Sequence, residues 1–141
     1  MKDLTTAIMT QFTDAPGGVN NDFYDAVGGR LFKNEAPEGA ELPYAVYLMV
    51  SDVPEYPGGK TIEQVLLQFS LFSGASSSSE IEDMLTALRA LYDDCALTIT
   101  DNTLIYFIRG NLTEGREEIT TPQGTVGVWH YAQDYDIQTV Q

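Results

Sequence analysis

Residues 61–72, TIEQVLLQFSLF, set Val65, Leu67, Phe69 and Leu71 two apart, with Gln64, Gln68 and Ser70 on the alternate positions. Successive side chains of a strand leave opposite faces, so this stretch reads as a strand with one face buried. The run before it, Tyr44 to Val53, is also β-rich and sets Tyr44, Val46, Leu48 and Val50 on one face. Between the two, PEYPGG is too long for a two-residue hairpin loop. The pair therefore predicts a long antiparallel hairpin closed by an extended turn at 54–60. A sheet buried on one face needs a second layer to cover it.

Two segments offer that layer. In SGASSSSEIEDMLTALRALYDD, Ile81, Met84, Leu85, Leu88, Leu91 and Tyr92 recur at helical spacing, predicting a main helix over about 78–94. Its serines are N-cap candidates, with Ser77/Glu80 and Ser79/Glu82 at capping-box spacing. The acids Glu80, Glu82 and Asp83 fall in its first turn, where the helix dipole favours them. Leu4, Ile8 and Phe12 make the stripe of a shorter N-terminal helix, ended in TDAPGGVNND by Pro16, Gly17 and Gly18. FYDAV then reads as a brief turn into Gly28 and Gly29, followed by a short strand from Arg30 to Lys33. After the main helix, TLIYFIRGNL and GVWHYAQDYDIQTV read as strands joined by a polar loop, TEGREEITTPQG. The order predicts an α+β fold: an antiparallel sheet with one face packed on an N-terminal helix and a main helix. A length of 141 residues suits one domain spanning 1–141.

The glycine pair in AVGGRLF raises the question of a phosphate-binding loop. Such a loop needs a buried strand before the glycines and a helix after them. Here a turn precedes, and Pro37 and Pro43 rule out a helix in the stretch that follows. The pair reads as a chain reversal, with φ > 0 open to one or both residues. Charge narrows the partners. Twenty-one acids face seven bases, a net −14 spread over both halves of the chain, so phosphate backbones are repelled and no specific nucleic-acid binding is expected. No apolar run approaches the roughly 20 residues of a membrane span, and MKDLTTAIMTQF is too polar for a signal peptide. Cys95 stands alone and reads as a small residue at a helix end.

Candidate reactive groups do not assemble. His130 is the only histidine, set in a strand between Trp129 and Tyr131, and reads as half-buried and structural. Without cysteine partners it builds no zinc site of common type. Asp134 and Asp136 share one strand face, as an acid pair or as a solvated surface. EGREE at 114–118 lacks the alternating ligands of a calcium loop and reads as a mobile charged loop. The aromatics lack the basic groove of a base-stacking platform and are assigned to core and interface packing.

Order and spacing carry more. VGGR-LF, then AP-EGAELPYAVY, the hairpin ending in QFSLF, the helix EIEDMLTALRALYDD and the terminal GVWHYAQDYDIQT together resemble the tail-completion family of long-tailed bacteriophages, which includes tail terminator and tail-to-head joining proteins. The resemblance runs from about Gly28 onward, with Gly28, Gly29, Arg30, Pro43 and Tyr44 at the family's recurrent positions. It implies a homo-oligomeric ring, six-fold, that caps the tail tube protein and meets the head-tail connector protein. It implies no catalysis, no cofactor and no membrane. Arg30 then pairs either with an acid of a neighbouring copy or within its own chain. Glu55, Tyr56 and Lys60 of one turn, and Glu114, Arg116, Glu117 and Glu118 of the polar loop, are the candidate interface positions. Two other readings stay open: another neck protein (a connector stopper or adaptor), and a free-standing acidic mimic of DNA.

Overall fold

The computed structural model describes residues 2–14, 21–122 and 124–141. Helix α1 (Lys2–Asp14) is followed by α2 (Asp22–Ala26), β1 (Leu31–Lys33), β2 (Tyr44–Glu55), β3 (Ile62–Ser73), α3 (Ser79–Tyr92), β4 (Thr103–Thr121) and β5 (Gly124–Val140). The five strands form one sheet in the order β1-β2-β3-β5-β4. All pairs are antiparallel except β1 with β2, which is parallel, so the expected antiparallel sheet carries one short parallel edge. The predicted break at Pro16–Gly18 lies outside the described residues.

The helices cover one face. Leu4, Ile8 and Phe12 are buried, as are all six residues of the α3 stripe, and they share one core with Val65, Leu67, Phe69 and Leu71. Here the alternation of β3 and the helical spacing of α3 read the same side of the sheet. On β2 the expectation is corrected. The core side is Ala45, Tyr47 and Met49, registered on Leu71, Phe69 and Leu67, while Tyr44, Val46 and Leu48 sit opposite Phe72, Ser70 and Gln68 on the helix-free face. Both faces of β2 carry apolar side chains, so alternation could not choose between them. Val50 is the extra residue of a bulge between Met49 and Ser51, and it is exposed.

Three local expectations also change. FYDAV is not a turn but the short helix α2, begun by Asn21, whose Oδ1 accepts the Tyr24 N–H at 2.7 Å. Neither capping box forms on α3: the N-cap is Ser78 with no side-chain cap bond, and Glu80 instead accepts from Ser73 Oγ at 2.6 Å. The polar loop does not exist as a loop. Its residues 113–121 continue β4, which pairs with β5 as far as Thr121 and Gly124.

A polar hub ties this arm to the helix layer. Gln133 is fully buried; its Oε1 accepts Arg89 Nη2 at 2.8 Å and Nε at 3.1 Å, and its Nε2 donates to Gly110 O, Asn111 O and Asp134 O. Gly110 and Asn111 lie in the β4 irregularity between Arg109 and Leu112. A buried amide with its partners in place fixes where that strand bends.

Candidate functional site

The five family-pattern positions meet in space. Gly28 (φ 59°) and Gly29 (φ 74°) reverse the chain after α2, with Gly29 N donating to Tyr24 O at 2.9 Å and Arg30 N to Val27 O at 3.1 Å. A Cβ at Gly29 would come within 2.9 Å of the Tyr24 hydroxyl, so both backbone conformation and space call for glycine there. Arg30 Nε donates to Pro43 O at 3.0 Å, and its Nη1 lies 3.9 Å from Glu41 Oε2. The Leu42–Pro43 peptide is cis. Ala45 N donates to Arg30 O at 3.0 Å, joining the turn to the start of β2. Tyr44 packs its ring between Phe32 (6.0 Å) and Phe72 (4.9 Å) on the helix-free face. The glycines therefore turn the chain so that β1 enters parallel to β2. Arg30 holds the returning segment within its own chain.

The remaining candidate positions fall at two opposite ends. Glu55 closes β2, and Tyr56 and Lys60 stand exposed on the turn beyond it. Glu55 pairs with Ile62, Ile62 with Val140 and Val140 with Thr103, so this turn marks one end of the sheet. At the other end β3 stops at Ser73, opposite Trp129, yet β4 and β5 run on to Thr121 and Gly124 as a two-stranded arm. Glu114, Arg116, Glu117 and Glu118 belong to this arm and its root. The Arg116 guanidinium lies 5.5 Å above the Trp129 ring, and Trp129 Nε1 donates to Ala75 O at 3.1 Å. Gly127 leaves room for that arginine, since a Cβ there would run into the guanidinium. The arm is thus rooted by an aromatic–cation contact on a tryptophan that itself packs against the core.

Strand bases keep to the helix-facing side, whereas strand acids occur on both, with Asp52, Glu63, Glu114 and Glu118 helix-facing. Paired residues share a face, so the register places Glu55, Asp134, Asp136 and Glu117 on the helix-free side with Phe72 and His130. Gln68 Nε2 donates to Asp134 Oδ1 at 3.0 Å. No Lys or Arg of the five strands shares that side; Lys33, Arg109 and Arg116 register with the helix-facing Tyr47, Tyr135 and Trp129. His130 stacks on Phe72 (4.4 Å, 11° between planes), and its Nδ1 lies 3.7 Å from Glu117 Oε1. It is packed and half-buried, as its place in the strand suggested.

Among the described residues no three His, Cys, Asp or Glu side chains are placed to hold a metal ion. No described helix is long and apolar enough to cross a membrane. Several displaced titrations lie in the core, and burial beside Asp52 raises Glu63 outside it. Burial raises Tyr47, Tyr92 and Tyr135, the last helped by its 2.7 Å bond to Asp93, and pushes the Cys95 thiol up to about 12. For a phenol, a raised folded value means the neutral form is the one the fold holds. The unfolded chain ionises its tyrosines from about pH 10, so their stabilisation is complete below that value and is lost as pH climbs above it. Thermal melts should stay level from neutral pH to about 8, begin to fall as unfolding frees the Cys95 thiol to ionise, and fall steeply above 10, with Tyr47, Tyr92 and Tyr135 giving tyrosinate absorbance only on unfolding.

The candidate positions thus divide between the glycine turn and the two ends of a helix-backed sheet. The family model for tail completion protein gp17 matches residues 24–131, and the chain belongs to that family. It is a structural protein of the phage tail and hence of the virion. Among solved structures, a chain in the virion of a native gene transfer agent particle has the same fold at 9% identity, with a TM-score of 0.64 over 97% of this chain and 96% of that one. Another aligns with a TM-score of 0.56 at 11% identity, covering 96% of this chain and 94% of its own. No curated protein sequence matches significantly.

Proposed function

We propose that this protein is the tail terminator: a six-membered ring that closes the tube, stops its growth and joins the tail to the head connector. The observation that carries the reading is the placing of the exposed 54–60 turn and of the β4–β5 arm beyond Arg116 and Trp129 at opposite ends of one sheet. A ring of such chains with strands near its axis presents one feature to the tube and the other to the connector. Growth stops because a closed ring offers no further subunit site. The helix-free face, with Glu55, Asp134, Asp136 and Glu117 and no strand Lys or Arg, suits a channel wall that DNA passes without sticking. Six copies bring six times −14 to that ring. Assembly of this kind belongs to the host cytoplasm, with the whole chain acting as one unit.

Adding the purified protein to tube subunits during polymerisation tests this directly. Tubes should stop lengthening within the dead time of mixing, and negative-stain images should show a six-fold cap at one tip. Tubes that grow at the uncapped rate, with no density at either tip, would defeat the reading.

A further inference from the structure

The two edges of the sheet carry matching chemistry. Following the register across all five strands, Leu31 on β1 shares a rung with Ala45, Leu71, Tyr131 and Glu114 of β4. Lys33 lies one same-face step along, level with Tyr47, Phe69, Gln133 and Leu112. Lys33 and Glu114 thus stand at nearly the same height, on the same helix-facing side, at opposite edges. Both are exposed. Among the described residues no carboxylate lies within 4.0 Å of Lys33, whose Nζ reaches only Thr5 Oγ1 at 3.4 Å. Beside it, Lys2, Thr5, Thr6, Thr10 and Thr13 line an open hollow between α1 and β1.

A second match lies toward the 54–60 end. Val53 shares a rung with Gln64, Gln138 and Tyr106, and Ser51 with Leu66, Asp136 and Ile108. Val53 and Ile108 are therefore neighbours in height and both face the helix-free side, 54% and 46% exposed although apolar. β1 covers β2 only at Ala45–Tyr47, which leaves Val53 at an open flank. Four strands step from β2 to β4 through three antiparallel reversals, so β4 runs opposite to β2. A copy rotated about an axis near the strands keeps its directions and its heights. It brings its β1–β2 edge against its neighbour's β4 edge with both matches in place. Main-chain pairing is blocked at Phe107, whose carbonyl already accepts from Asp94 N, and Asp93 engages Arg109 beside it at 3.5 Å. The contact is one of side chains.

We propose that successive copies of this chain join head to tail, the β4 edge of one against the β1–β2 edge of the next, with Glu114 taking Lys33 and Ile108 packing on Val53. Such a contact uses different patches on the two partners, the arrangement that closes into rings. It also places the join where a −14 chain can tolerate a copy of itself, because an acid there meets one of only seven bases. The inference rests on the ring reading and specifies its interface.

A charge swap tests it on the intact protein. Lys33→Glu and Glu114→Lys should each raise the concentration for half-assembly of rings, free or on tubes, about tenfold or more, read by light scattering. The double variant should restore assembly. Across one sheet the two positions are four strand spacings apart, roughly 19 Å, too far to pair within a chain, so rescue must come from between copies. Mixing Val53→Cys with Ile108→Cys protein should give a disulfide-linked dimer under oxidation, while neither alone should. Rings that form normally in both single charge variants, or a double variant no better than either, would overturn the interface and leave the terminator reading standing. Absence of rings from the parent protein, alone and on tubes, would overturn both.

Discussion

Leu67→Asp should leave almost no folded protein, with the soluble fraction lacking a cooperative melt. Leu67 has no exposed surface and lies in the core with Phe69, Leu85 and Leu88, where β3 meets α3. An unpaired carboxylate in that setting costs several kcal/mol, against a total stability of about 5–15 kcal/mol for a domain. Val53→Asp, half-exposed on β2, supplies the contrast: the monomer should melt within a few degrees of the parent while ring formation suffers. Circular dichroism melts of the two variants side by side check the assigned register. A native-like melt for Leu67→Asp would mean that the helix layer covers the other face. Gln68→Asp is a poor control for this purpose, because Gln68 donates to Asp134 and the change would set two carboxylates together.

That register was legible because burial writes periodicity into a sequence. β3 is covered by helices on one side, so Val65, Leu67, Phe69 and Leu71 had to alternate with polar residues; α3 is covered on one stripe, so its apolar residues recur at helical spacing. Where burial is absent the pattern vanishes. From Glu117 to Thr121 β4 pairs with β5 alone, beyond the end of β3, and its charged stretch reads as a loop although the backbone is paired. β2 fails for the opposite reason, since apolar side chains on both faces hide the choice of side. Helix α2 is five residues long, too short for a stripe, and only Asn21 ahead of it signals a helix start. Among the candidate positions, the glycine turn was legible from local chemistry, whereas the meeting of Arg30 with Pro43 depends on a return of the chain that no local pattern encodes. Lys33 and Val53 enter the sequence pattern only as strand ends. Each is ordinary in sequence and becomes informative only when five registered strands place it level with Glu114 or Ile108.

Deleting the gene should give full heads without tails, beside tail tubes longer and more variable than those of the parent phage. The expectation follows from what a terminator does and does not do. It occupies the growing end, so its loss removes the stop while tube polymerisation continues. It also supplies the surface the connector meets, so packaged heads accumulate unjoined. A connector stopper in the same position predicts a different failure: tails of uniform, normal length beside heads that lose DNA or cannot be joined. A DNA mimic predicts intact particles with an altered course of infection. Tube lengths measured by electron microscopy in the deletion lysate separate the three, and a narrow distribution at the parental length would remove the terminator assignment even if rings form. Purified protein added to the lysate before the tubes overgrow should restore joining, while the Lys33→Glu variant should do so poorly and the double charge swap should recover it. Recovery by the swap would tie the stop signal to ring closure through the sheet edges, because that substitution leaves both ends of the sheet, the hairpin turn and the tip of the arm, unchanged.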